Sequence, residues 1–143
     1  MTEGSKRRLK LWIRLLGVTR RAENDLREYL RVTHDTTLPR FDVMAALYRR
    51  REAMTMSDLS RMLLVSNGNA TVVVDRLESD GLARRTPSDS DRRTVFVALT
   101  PEGLAAFESL AAGHESEVAR IFARLDDGDV DVMTEILKRA EQG

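Results

Sequence analysis

A chain of 143 residues with 23 Lys/Arg against 23 Asp/Glu is one domain long and formally neutral, with little room for a separate substrate domain. The absence of cysteine excludes disulfides, thiolate metal sites and thiol redox sensing, and two histidines, His34 and His114, are too few for a dedicated zinc site in one subunit. Neutrality counts against a nucleic-acid partner only until the distribution is read: residues 1–34 carry nine cations against four anions, residues 35–99 ten against nine, and residues 100–143 four against ten.

Residues 1–4 are expected to be disordered, and Lys6, Arg7, Arg8 and Lys10 then open a long helix with Leu9, Ile13, Leu16, Leu26 and Leu30 on its inner side. The helix is expected to end near Val32, and Gly17 and Arg20 interrupt its stripe, so it should bend or span two environments. No stretch has the apolar length of a membrane helix, and the basic N-terminus is not followed by a signal-peptide core. A cytoplasmic protein without a membrane partner is expected. Thr37, Leu38 and Pro39 start a second helix that turns Phe41, Met44, Ala45, Leu47 and Tyr48 inward. Arg49, Arg50 and Arg51 close it, either as cations suited to a helix C-terminus or as contacts to a nucleic-acid backbone.

The stretch Thr55 to Leu99 predicts a winged helix-turn-helix. Thr55 caps a short helix, with Asp58 placed to complete a capping box, and Met56, Leu59, Met62 and Leu63 form its apolar stripe. Val65, Ser66, Asn67 and Gly68 supply turn and cap residues before a second helix whose inner face is Ala70, Val73, Val74 and Leu77. Asn67, Gly68, Asn69, Thr71, Val72 and Arg76 then point outward, a small and polar face of the kind that can approach base edges in a groove. Together with Ser66 at the turn they are the candidate DNA-reading residues, with Arg76, Arg84 and Arg85 assigned to phosphate. Gly81 ends the helix in a left-handed conformation. A hairpin follows, Leu82 to Thr86 and Thr94 to Leu99, with Val95, Val97 and Leu99 alternating inward. Its loop carries Asp89, Asp91, Arg92 and Arg93, and the two carboxylates are placed to hold the Arg92 guanidinium in one pose for a minor groove.

Thr100 and Pro101 open a long helix in which Phe107, Ala111, His114, Val118, Ile121 and Leu125 repeat at steps of four and three. After a break at Asp126 to Asp129, Val130, Met133, Leu137 and Ala140 continue the spacing in a last helix. These seams and the N-terminal helix offer more apolar surface than a small winged lobe can cover. They predict either a dimer or an intramolecular three-helix cap.

The ordered set Ser57-Asp58-Leu59-Ser60, Val74-Asp75-Arg76-Leu77-Glu78, Gly81-Leu82, Asp91-Arg92-Arg93 and Leu99-Thr100-Pro101-Glu102-Gly103 resembles the MarR family of bacterial transcriptional regulators over nearly the whole chain. The resemblance implies a mainly α fold with a small β wing, in a single domain. Residues 1–34 and 100–143 would be its dimerisation helices and residues 35–99 its DNA-binding lobe. It also implies a homodimer on a pseudo-palindromic double-stranded operator, acting as a repressor released by a small molecule, with no cofactor. The stretches Leu38 to Asp42 and Val65 to Asn69 look most like the branch that senses aromatic acids or their coenzyme A thioesters. Effectors in the family bind between the first, second and fifth helices, which nominates Trp12, Arg14, Arg40, Phe41, Met44, Tyr48 and His114. Arg40 stands out because a cation at a helix start is not favoured by the dipole and should meet an anion.

No phosphate loop, nucleophile elbow or metal-ligand spacing is present, so catalysis is not expected. A winged-helix protein-interaction module without DNA binding is the other reading of a neutral chain.

Overall fold

Six of the turns in this chain begin with a serine, threonine or aspartate whose side-chain oxygen accepts a backbone N–H three residues on, and each starts a helix. The computed structural model describes residues 1–143 and orders them as α1 (Glu3–His34), α2 (Leu38–Arg50), β1 (Met54–Thr55), α3 (Met56–Leu63), α4 (Asn67–Ser79), β2 (Ala83–Pro87), β3 (Val95–Leu99), α5 (Pro101–Ile121) and α6 (Asp127–Glu141). Helices dominate, and the three strands form one antiparallel sheet in the order β1-β3-β2.

Several local expectations change. The first residues are not disordered, because Thr2 accepts from the Ser5 N–H and starts α1 at Glu3. Helix α1 also runs unbroken through Gly17 to His34. The capping box at Thr55 is only half made: Thr55 Oγ1 accepts from the Asp58 N–H at 3.1 Å, while the Asp58 carboxylate turns to Arg61. Asp126 and Asp129 form the complete box instead, at the start of α6. Met54 and Thr55 pair with Val97 and Phe96, a two-residue strand too short to show a period in sequence.

The helix-turn-helix bends at Leu64, which lies at φ 57°, while the Val65 N–H closes back onto the Ser60 carbonyl. Gly68, expected in that turn, instead belongs to the first turn of α4. Gly81 does take the left-handed conformation, at φ 76°. Its N–H reaches the Glu78 carbonyl and that of Leu82 the Leu77 carbonyl, which ends α4 and aims the chain into β2.

The core lies where the C-terminal part of α1, helices α2 to α4, the sheet and the first half of α5 converge, with Leu30, Met44, Leu59, Leu77, Val43, Val74 and Val97 fully buried. Phe41 of α2 packs between Phe107 and His114 of α5, and Tyr48 packs on Phe107. On the other side of that contact, Tyr29 of α1 donates or accepts a hydrogen bond with His34 and fills the space that Gly113 leaves on α5. The first half of α1 and all of α6 stay outside the core. Leu9 and Ile13 are exposed, against expectation, beside Leu11 and Trp12, and α6 buries no residue.

Partial desolvation and the neighbouring Glu23 carboxylate push the Asp42 pKa up to about 6, with Arg27 pulling it down. The folded state therefore binds the proton that the unfolded chain releases above about pH 4, and the Asp42 charge opposes folding at neutral pH. Asp42→Asn is expected to raise the melting temperature at pH 7.5, modestly because Asp42 is exposed and solvent screens its charge. The gain should shrink as pH falls through 6 and vanish near 4. Equal gains at both ends of that range would show that the charge is not the cause.

Candidate nucleic-acid interface

Helix α4 is anchored from below by Ala70, Val74 and Leu77, all buried, and opened by Ser66, whose hydroxyl accepts from the Asn69 N–H at 3.2 Å. This orientation exposes Asn67, Gly68, Asn69, Val72 and Arg76 together. Thr71 departs from the expectation. It is half-buried, and its hydroxyl donates to the Asn67 carbonyl at 2.8 Å, so it lines a groove shared with Asn67, Arg93 and Thr94 rather than standing free toward a base.

One acid, Asp75, shares the outward side of α4 and would repel a phosphate backbone if left alone. Arg85 of β2 pairs with it and offsets part of that charge: its guanidinium donates to Asp75 and to Glu78, and its backbone N–H donates to Glu78 Oε2 at 2.8 Å. That backbone hydrogen bond, with the guanidinium, holds the Glu78 carboxyl below the usual carboxylate range. Burial opposes the Arg85 charge, and the hydrogen bonds and charges of Asp75 and Glu78 outweigh it. Arg85 therefore clamps α4 to the wing and is not a free phosphate ligand, whereas Arg84, the next residue along the strand, is exposed. The clamp was not legible in sequence, because Glu78 and Arg85 meet only after the Gly81 turn reverses the chain.

The wing pairs Ala83 with Leu99 through Pro87 with Val95. Its tip is ordered by two side chains. Ser88 Oγ accepts from the N–H groups of Ser90 and Asp91, and the Asp91 carboxylate accepts from the Arg93 N–H at 3.0 Å and the Thr94 hydroxyl at 3.1 Å. Asp91 thus holds the turn and not, as the sequence suggested, the Arg92 guanidinium. Asp89 does not pair with Arg92 either, and both stand exposed at the tip with Arg93. Among the arginines that close α2, Arg51 folds back over the Tyr48 ring at 4.8 Å and donates to its hydroxyl, while Arg49 and Arg50 remain exposed.

The residues nominated for an effector do not form one pocket. Met44 is fully buried and Phe41 stacks on His114 with ring centroids 4.0 Å apart, so these side chains, with Tyr48, join α2 to α5. Burial holds the His114 ring below the ordinary imidazole value. Trp12 is exposed on the first half of α1, and Arg14 lines a separate cleft with Arg21, Phe122 and Met133. Arg40 has already met its anion: it donates to Asp80 Oδ2 at 2.6 Å, linking the start of α2 to the end of α4. Its Nε is buried without a partner, beside a cleft lined by His34, Met44, Ser109 and Leu110. Asp80 carried no signal in sequence, being forty residues away.

The sequence profile of the MarR family matches residues 34–94, from the end of α1 to the wing tip. Over 139 residues the chain is 30% identical to the HTH-type transcriptional regulator MhqR of Bacillus subtilis (strain 168), spanning 97% of this chain and 92% of that protein. This chain belongs to the MarR family. Solved MarR-family structures superpose on it closely. A mutant MarR from E. coli complexed with operator DNA matches with a TM-score of 0.82 and 26% identity, over 97% of this chain and 99% of that one. Sco3205, a MarR family transcriptional regulator from Streptomyces coelicolor solved in complex with DNA, matches with a TM-score of 0.84 and 25% identity, over 94% of this chain and 86% of that one. The protein is accordingly a DNA-binding transcriptional regulator and not an enzyme, with the mainly helical winged fold of its family. No helix is long and apolar enough to cross a membrane.

Proposed function

We propose that this MarR-family chain acts as a homodimeric repressor on a pseudo-palindromic operator, with α4 in the major groove and the wing tip over the minor groove. The observation that carries this reading is the Asp75-Arg85-Glu78 clamp, which offsets one of the two carboxylate charges on the helix that presents Asn67, Asn69 and Arg76 and ties that helix to the wing. The small amides at its N-terminus suit base edges, and Arg76 and Arg84 suit phosphate. A dimer would place two such helices about one DNA turn apart, roughly 34 Å.

Binding to the upstream intergenic DNA in a mobility-shift titration tests this. Arg92→Ala is expected to weaken operator binding at least tenfold with the melting temperature unchanged, because the exposed guanidinium touches no core residue. Unchanged affinity at moderate salt would overturn the assignment of the wing tip.

We propose further that the repressor is released by an anionic aromatic ligand seated in the cleft beside Arg40. Arg40 lines that cleft with an Nε that has no hydrogen-bond partner, and Leu110 offers a partly exposed apolar wall. Such an anion would compete with Asp80 for the guanidinium and loosen the tie between α2 and the end of the recognition helix. Only a difference in affinity between two dimer shapes is required. Benzoate, hydroxycinnamates and their coenzyme A thioesters, titrated into the protein-DNA complex, should release DNA from the parent, whereas Arg40→Ala, which lacks the tie to Asp80, should bind DNA more weakly from the outset and show no further response. Failure of all of them at millimolar concentration, or an identical response of the variant, would remove the ligand and leave DNA binding in place.

A further inference from the structure

Two residues on the outward face of α4 are not explained by folding. Val72 is 55% exposed, yet valine is β-branched, is not a strong helix former and gains nothing from standing in water. Gly68 is the other. Only Gly81 among the glycines has a positive φ, and a Cβ at Gly68 would meet nothing nearer than Ser66 Oγ at 3.9 Å, so neither the backbone nor the packing demands a glycine. Residues four apart in a helix share one face, and a helical side chain leans toward the helix N-terminus. Val72 therefore leans over the bare backbone at Gly68, and the pair makes a shallow apolar step bordered by Asn69 and Arg76. Thymine alone among the bases presents an apolar group, its 5-methyl, in the major groove.

We propose that the Gly68-Val72 step seats the 5-methyl group of a thymine and so selects thymine at one position of each half-site. The inference rests on the reading of α4 as the groove-reading helix. The missing side chain at 68 lets the base edge approach the helix backbone, and the valine methyls cover the thymine methyl once it is there.

The test compares two forms of one duplex, selected by the protein from random sequence and synthesised with either thymine or deoxyuridine, which differ only in the methyl groups. Full-length protein should bind the deoxyuridine form about fourfold more weakly per half-site, roughly fifteenfold for a dimer, the change expected from about 0.8 kcal/mol per buried methyl. Replacing thymines one symmetric pair at a time should confine the loss to a single pair. Val72→Ala should bind the thymine duplex more weakly and bring the ratio between the two forms close to one. Gly68→Ala, which fills the step, should lose affinity for the thymine duplex and less for the deoxyuridine duplex. Both positions are exposed, so melting curves should show the variants folded. Equal binding of the two duplexes by the parent, or an undiminished ratio in Val72→Ala, overturns the thymine assignment while DNA binding stands. A parent protein that binds no selected duplex above random DNA overturns both.

Discussion

Replacing Gly103 by alanine is expected to lower the stability of this protein by about 3 kcal/mol, the upper range for overpacking, because the new atom meets backbone. A Cβ at this position would lie 1.9 Å from the Leu82 carbonyl oxygen and 2.9 Å from its carbonyl carbon. No rotamer relieves that clash, so the first turn of α5 must retreat. Retreat breaks a local network: Leu82 O accepts the Thr100 N–H at 3.0 Å, Thr100 Oγ1 donates to the Gly81 carbonyl at 2.6 Å, and the same hydroxyl caps the Gly103 N–H. These bonds fasten the end of α4 to the return from the wing, so operator affinity should fall with stability if α4 reads the groove as proposed. In urea or thermal unfolding the variant should melt roughly 10 °C lower, at about 2–4 °C per kcal/mol for a chain of this size. Gly17→Ala is the control, since a Cβ there meets nothing within 4 Å. A Gly103→Ala protein as stable as the parent would show that α5 is not packed against Leu82 as described.

Deleting residues 126–143 is expected to convert the protein to monomers or aggregates and to reduce operator binding by more than a hundredfold. Helix α6 buries nothing within the chain, yet it carries Val130, Val132, Met133, Ile136 and Leu137, all exposed. The first half of α1 repeats the situation with Leu9, Leu11, Trp12 and Ile13. Apolar surface on this scale is expected to be covered by a partner, and a second copy is the simplest one. Two linked half-site contacts gain about 10²–10⁴ over one, which sets the expected loss. The core receives no residue from α6, so the helical content of the remaining chain and the wing should survive. Light scattering and a mobility shift read the two effects separately. A soluble truncated monomer that binds the operator as tightly as the parent would rule out α6 as the interface.

The helices were legible because their signals are local. Thr37 with Pro39, Thr55 and Thr100 with Pro101 mark three starts within a residue of where the chain begins to coil, and Gly81 marks the end of α4, whereas Ser66 and Asp126 cap their helices earlier than the turn and the break read there suggested. The inward faces of α2 and α4 followed from periodicity for the same reason: Phe41, Met44, Leu47, Ala70, Val74 and Leu77 are all buried. Periodicity could not say which surface would cover a face. The interruption of the α1 stripe at Gly17 and Arg20 did signal two environments, and the helix divides accordingly, but Leu9 and Ile13, read as inward, lie outside the core that holds Leu30.

What the amino-acid sequence determined by itself was the order of the six helices and the hairpin, the winged helix-turn-helix, the family and, Thr71 apart, the outward face of α4, since each depends on residues a few positions apart. Only the tertiary structure decided how the charges pair. Arg40 finds Asp80, Arg85 finds Asp75 and Glu78, and Asp91 is taken by the backbone of the wing turn and not by Arg92. Tertiary structure also revealed why Gly103 and Gly113 are glycines, one beneath a carbonyl and the other beneath a tyrosine hydroxyl. A long charged side chain can reach several partners, and a glycine leaves no pattern of its own. Both are resolved only when distant segments are brought within a few ångströms, where hydrogen-bond geometry and excluded volume admit one arrangement.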